Sequence, residues 1–289
     1  MSIADNATAN LQQALASLGD IQNEISSDKR INVPSDDPVG TVTALQTRSS
    51  IGLNTQITSN INDATAWLAS ADNTLNSIVT QLTSARTAAV QAQDGTLDQS
   101  GLQALSQQVD GIRQSVLGLA NTQYNGRAIF AGTASGPAYD ASGNYVGTSA
   151  SIERTVSPGV RMQVNVNGDT AFGAAGSDIF TALTNLSTAI SSGDPTAIGS
   201  AMSALDTSTK NVSTSLSNVG ASEQRLSALK SQNTSDALTL QQTLSNVEEP
   251  DLTQAVMQMQ MQQNAYQAAL AVTARVIQPS LVNFLTAGT

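Results

Sequence analysis

Two carboxylate clusters are the first places to look for chemistry. Asp36 and Asp37 stand together between Pro34 and Pro38, and Glu248, Glu249 and Asp251 surround Pro250. Paired carboxylates can share a proton for acid–base work or hold a hard cation. Either job needs a further ligand or a base nearby, and the flanking sequence supplies none. A structural role explains the same residues. Asp37 before Pro38 fits a helix N-cap followed by proline at the first helical position, and Lys29 or Arg30 can close the loop on these acids. Pro250 is likewise placed to start a helix, with Glu248, Glu249 and Asp251 where its dipole favours negative charge. Met257, Met259 and Met261 resemble a sulfur-rich ligand box but read as an adaptable contact surface. Trp67 could be a stacking platform, and Phe130, Tyr139 and Tyr145 could line a carbohydrate site. Aromatics are only 3% of the 289 residues, so packing is the expected use of each.

The missing residues narrow the field further. The chain has neither histidine nor cysteine, which removes the commonest general base, the thiol nucleophile and the two commonest transition-metal ligands. No catalytic, metal-binding or cofactor-binding residue is expected. A net charge of −10 with no basic cluster opposes nucleic acid and anionic membrane surfaces as partners. No apolar run is long enough to span a bilayer. The start, Met-Ser-Ile-Ala-Asp-Asn, does not look like a cleavable signal peptide, so export by another route is expected. Asn185, Asn211 and Asn233 fit the N-glycosylation pattern, which in so Ser/Thr-rich a chain reads as chance.

What remains is a set of long helices that must position something other than a reaction centre. Residues 2–27 carry Leu11, Ala14, Leu18, Ile21 and Ile25 at helical spacing, widened by Leu15. The last forty residues carry a second seam: Leu252, Val256, Met259, Gln263, Tyr266, Leu270, Thr273 and Ile277, with Leu281 and Phe284 beyond Pro279. After Asp251 the only ionised side chain in that stretch is Arg275. A helix facing water normally carries more charge, so the terminal helices are expected to be surrounded by protein, pairing as a coiled coil in an assembly and partly disordered alone.

Between them, residues 41–93 read as one long helix, with Gly52 as the place where it could be interrupted. Its heptad seam is Ile57, Ile61, Ala64, Leu68, Ala71, Leu75, Ile78, Leu82, Ala85 and Ala89. A third helix, with Leu102, Leu105, Val109, Ile112, Val116 and Leu119, returns antiparallel to it. Residues 124–176 change to Gly, Ser, Asn, Val and Tyr. Short strands are expected at 127–131, 144–146, 152–156 and 160–166, with turns at Gly143-Asn144 and Asn167-Gly168. Helices resume near Asp178, and a final long seam runs from Ile198 to Val247. The fold class is mainly α: an elongated long-helix bundle or coiled coil with a small inserted β domain. Three parts are expected: residues 1–30 plus 250–289 (terminal helices), 31–123 plus 178–249 (helical rod), and 124–177 (β insert).

Particular stretches then resemble a known family. Arg30-Ile-Asn32-Val-Pro34-Ser-Asp36-Asp37-Pro38-Val-Gly40 resembles the loop after the first helix of the bacterial flagellin family, which includes flagellins and flagellin-like hook-associated proteins. Val247 to Ala255 and Ala265 to Leu285 resemble the family's C-terminal helix. The Pro-Ser-Asp-Asp-Pro form is closer to the hook–filament junction type than to flagellin. Arg86-Thr-Ala-Ala89 stands where flagellins carry Arg-Glu-Leu-Ala, so innate-receptor recognition is not implied. The resemblance implies a structural, extracellular component of the bacterial flagellum, exported through the flagellar type III apparatus. Its implied partners are another hook-associated protein, flagellin, copies of itself in a ring or tube, and an export chaperone on the C-terminal region. The alternative within the family is a flagellin filament subunit. The alternative outside it is a carbohydrate-binding module in the β insert.

Overall fold

A computed structural model describes the backbone of residues 3–286 and the side chains of residue 6 and residues 8–274. Seven helices and four strands follow one another as α1 (Ile3–Ser27), α2 (Pro38–Gln93), α3 (Gln99–Ala120), β1 (Gln123–Tyr124), β2 (Arg127–Ala128), β3 (Glu153–Ser157), β4 (Val160–Gln163), α4 (Gly168–Phe172), α5 (Ile179–Ser192), α6 (Pro195–Glu248) and α7 (Leu252–Thr286). The fold is mainly α, and α2 runs through Gly52 without a break. Residues group into two compact units: 1–53 with 236–289, and 54–235. α2 and α6 each contribute to both.

The second unit is built on the α2 seam. Ile57, Ile61, Leu75, Ile78 and Leu82 are fully buried, as are Val212, Val219 and Leu226 of α6. Asn54 and Asn233 end this dry core with a polar lock. The Asn54 amide donates to the Asn233 backbone and side-chain oxygens at 3.0 and 2.9 Å, and the Asn233 amide donates to Thr58 Oγ1 at 2.6 Å. α3 packs against α5, where Ser106 and Ser187 share a buried hydroxyl–hydroxyl bond. Asp98 caps α3 and Asp178 caps α5 through backbone N–H groups.

The β-rich stretch is smaller than its sequence suggests. It forms two separate antiparallel pairs, β1 with β2 and β3 with β4. Between β1 and β2, Asn125 and Gly126 both take positive φ, the two-residue hairpin turn whose twist suits paired strands. Only an isolated bridge, Tyr139 to Tyr145, forms where a strand at 144–146 is expected. Asn167-Gly168 is not a hairpin turn: Asn167 is extended and starts α4. A Cβ on Gly168 would meet the Tyr139 and Tyr145 rings at 2.9 Å, so the glycine admits two aromatic rings rather than a turn.

Those rings belong to the core. Phe130, Phe172 and Phe180 are buried, the Tyr139 ring lies tilted against Phe180 with centroids 4.8 Å apart, and Phe130 meets Phe172 edge-on at 4.9 Å. Burial pushes the Tyr139 phenol far up and the Tyr145 phenol to about 12. Trp67 is buried as well, edge-on to Tyr124 at 5.8 Å. None of Trp67, Phe130 or Tyr139 presents a face on which a ligand could stack. Of the three candidate glycan residues, Phe130 and Tyr139 are thus spent on the core, and Tyr145 is half-buried.

Candidate functional site

The first unit holds the family-like loop and the terminal-helix seams that the sequence singles out, and its loop comes first. Asp28 takes a φ of 53° and Lys29 N–H reaches back to the Glu24 carbonyl at 3.3 Å. That left-handed turn closes α1 by satisfying an orphan carbonyl. Arg30 then bridges three elements. Its backbone N–H donates to the Glu248 carbonyl at 2.6 Å, and its guanidinium donates to the Val247 carbonyl at 2.8 Å and to Asp37 Oδ2 at 3.0 Å. Arg48 pairs with the Glu248 carboxylate at 2.7 Å. Two cations therefore sit at the C-terminal end of α6, where the helix dipole favours them. Glu248 is the last residue of α6 rather than an acid at the start of α7.

The two loop aspartates have separate jobs. Asp36 Oδ2 accepts the Asn32 and Val33 N–H groups at 3.0 and 2.9 Å, which rounds the Pro34 turn. Asp37 Oδ1 caps α2 by accepting Gly40 N–H at 2.8 Å, and Pro38 opens the helix. The Gly40 N–H, then the Arg30 guanidinium, hold the Asp37 carboxyl below its ordinary range. It is a fixed anion near neutral pH, not a proton carrier. A Cβ on Gly40 would lie 2.4 Å from Asp37 Oδ2 and 2.7 Å from Ile31 Cδ1, so this cap requires glycine. Asp251 caps α7 in the same manner through Thr253 and Gln254 N–H. Pro250 thus precedes the cap instead of opening the helix. Among the described residues no three potential metal ligands converge.

α7 lies against α1, and Gln262 Nε2 donates to the Ala14 carbonyl at 3.4 Å. Leu11, Leu18, Ile21 and Ile25 are half-buried on α1; Met259, Tyr266 and Thr273 are half-buried on α7. Leu252, Val256 and Leu270 stay exposed. Ile277, Leu281 and Phe284 lie outside the described side chains. At 100° per residue, the half-buried and buried positions Ala255, Met259, Gln262, Tyr266, Ala269 and Thr273 make one face. The predicted seam straddles the edge of that face, because its larger members sit on the shoulder while small Ala255 is the buried one. A second stripe, Met257, Met261, Ala265, Ala268 and Val272, runs along another side of α7, all exposed; it includes two of the methionines that the sequence marks as a contact surface.

Exposure of apolar side chains is general in this unit. Val39 is 78% exposed and Leu45 60%; Leu15, Val42, Leu53 and Leu238 are also exposed. Among the described residues its only buried apolar side chains are Ala44 and Ala255. The Val39, Val42, Leu45 spacing of three was readable in sequence but lay outside every predicted seam. Such a surface can do one thing well, which is to join other protein.

Comparison with known proteins places the chain. The model of the bacterial flagellin N-terminal helical region matches residues 1–135, and that of the C-terminal helical region matches residues 202–285. The chain belongs to the flagellin family. It is 31% identical over 173 residues to flagellar hook-associated protein 3 of Escherichia coli, a match covering 59% of this chain and 52% of that protein. The chain spans about half the length of the curated relatives it matches. Among solved structures, Bacillus cereus FlgL superposes with a TM-score of 0.61 at 23% identity, covering 69% of this chain and 99% of that one. The flagellar junction protein FlgL of Legionella pneumophila gives 0.60 at 13%, covering 72% and 100%. At these identities the superpositions establish a shared fold. A flagellin-family chain is a structural protein of the flagellum, which accords with a site made of apolar side chains on paired helices.

Proposed function

We propose that this chain is a structural adaptor at the hook–filament junction of the bacterial flagellum. Its terminal helices join copies of itself in a ring or tube, with another hook-associated protein on one side and flagellin on the other. In that assembly residues 1–30 and 250–289 act as a coiled coil, 31–123 with 178–249 as the helical rod, and 124–177 as the β insert. The subunit travels through the flagellar type III apparatus, with a chaperone shielding its C-terminal region beforehand. The observation that carries this reading is the large apolar surface of the first unit, set on an α7 that bears no charge from Leu252 to Ala274. Such a helix is costly to leave in water and well suited to a protein surround.

Gene deletion combined with antibody labelling of intact flagella tests the proposal. The adaptor reading expects deleted cells to release unassembled flagellin, and label on normal flagella to form a band at the filament base. Label along the whole filament, with no flagellin released after deletion, establishes the filament-subunit reading instead.

A further inference from the structure

The outward stripe of α7 has a chemical property that its apolar character alone does not convey. The chain contains six methionines and no cysteine, so methionine thioethers are its only oxidisable sulfurs. They are unequally placed. Met162 is 7% exposed in the core of the second unit and Met202 is half-buried there, whereas Met257 and Met261 are 55% and 64% exposed. Four residues apart, they share one helix face with Ala265, Ala268 and Val272, and no ionised side chain lies between Leu252 and Ala274. We propose that Met257 and Met261 form an oxidation-sensitive gate on assembly. In the free subunit, a peroxide transfers one oxygen atom to each exposed sulfur. The thioether is oxidised to a sulfoxide by two electrons and the peroxide leaves as water or an alcohol. A flexible apolar contact becomes a polar, chiral one. On a stripe with no other polar anchor than glutamine and asparagine amides, that change puts two strong dipoles where a neighbouring copy should pack. Once the joint has formed, the same sulfurs are covered and the reaction stops. The gate rests on the reading of α7 as a joining surface.

The test uses the full-length chain and hydrogen peroxide as the probe. After brief limited oxidation, peptide mass spectrometry should find Met257 and Met261 carrying oxygen on the order of tenfold faster than Met162, since susceptibility follows exposure. The oxidised chain should assemble roughly tenfold less than the untreated one, with recovery after treatment with methionine sulfoxide reductases. The double variant Met257→Leu/Met261→Leu, which keeps the stripe apolar, should assemble and lose its peroxide sensitivity. Equal oxidation of Met162, undiminished assembly of the oxidised chain, or unchanged peroxide sensitivity of the leucine variant overturns the gate. Failure of the underlying reading looks different: without any oxidant, Met257→Lys/Met261→Lys would assemble as well as the native chain.

Discussion

The two units solve the burial problem in opposite ways. Residues 54–235 place isoleucine, leucine and phenylalanine in a closed interior, with Ile61, Leu75, Ile78, Phe130 and Phe172 at 0% exposure. Residues 1–53 and 236–289 bury two alanines among their described apolar side chains and leave valines, leucines and methionines in water. Both contain long helices of similar composition, so helix propensity does not explain the contrast. What differs is the number of neighbours. In the second unit each helix seam finds partners within the chain. In the first, α1 and α7 cover one side of each other, and among the described residues their other faces stay exposed. The lesson is that a seamed helix specifies a demand for burial, and that on the reading proposed above an assembly supplies the partner the first unit lacks.

Truncations at matched positions should separate the units most strongly. Leu75→Ala opens a cavity in a filled core and should cost about 2–5 kcal/mol, read as a lower melting temperature of the free chain. Leu45→Ala removes a similar group from water and should change the stability of the free chain by no more than about 0.5 kcal/mol, while reducing assembly. If the two substitutions cost the same, the contrast between the units is wrong.

The polar lock offers a medium-sized test. Asn54→Ala takes the donor away from the buried Asn233 Oδ1 and backbone carbonyl, while Thr58 still accepts from the Asn233 amide, and should cost about 1–3 kcal/mol in denaturant unfolding of the free chain. Asn54→Leu with Asn233→Leu removes both polar groups and should recover most of that loss. A double variant as unstable as the single one would show that the asparagines matter for packing rather than for mutual hydrogen bonding.

pH should give the smallest and most localised difference. Desolvation raises the Tyr145 phenol to about 12, against an ordinary value of 10.0. A group with a raised folded-state value contributes stability that is complete below 10 and is lost as pH rises through 12. The second unit should therefore weaken in that alkaline window, and Tyr145→Phe should lessen the dependence while leaving the part that comes from the buried Tyr139 phenol. In the first unit Asp37 is held low, so its contribution is present above the ordinary carboxylate range and fades only as acid protonates it. Circular dichroism against pH, in native chain and variant, reads both.

Where large side chains repeat, the sequence was a good guide to this architecture. Ile57 to Ala89 read as a buried seam because isoleucine, leucine and alanine alternate at heptad spacing with nothing competing for the face. The Asp37-Pro38 cap was legible because side-chain capping is local chemistry. The β-rich stretch was less so, since Gly168 looks like a turn residue until two tyrosine rings are seen above it. α7 was legible as a helix but not by face. Glutamine, alanine and methionine surround it on every side, and a single-period search finds one seam where the structure shows an inner face and an outer stripe. Glu248 was placed at the wrong helix end because the acids on both sides of Pro250 look alike in sequence, and only its ion pair with Arg48 distinguishes them.

Hydrogen–deuterium exchange on the full chain, free and assembled, tests the central claim most directly, because amide protection reports local opening free energy. The account predicts that in the free chain α1 and α7 exchange far faster than the 57–89 seam, and that assembly slows α1 and α7 strongly while leaving the seam unchanged. Terminal helices already as protected in the free chain as that seam, and no slower after assembly, would contradict it.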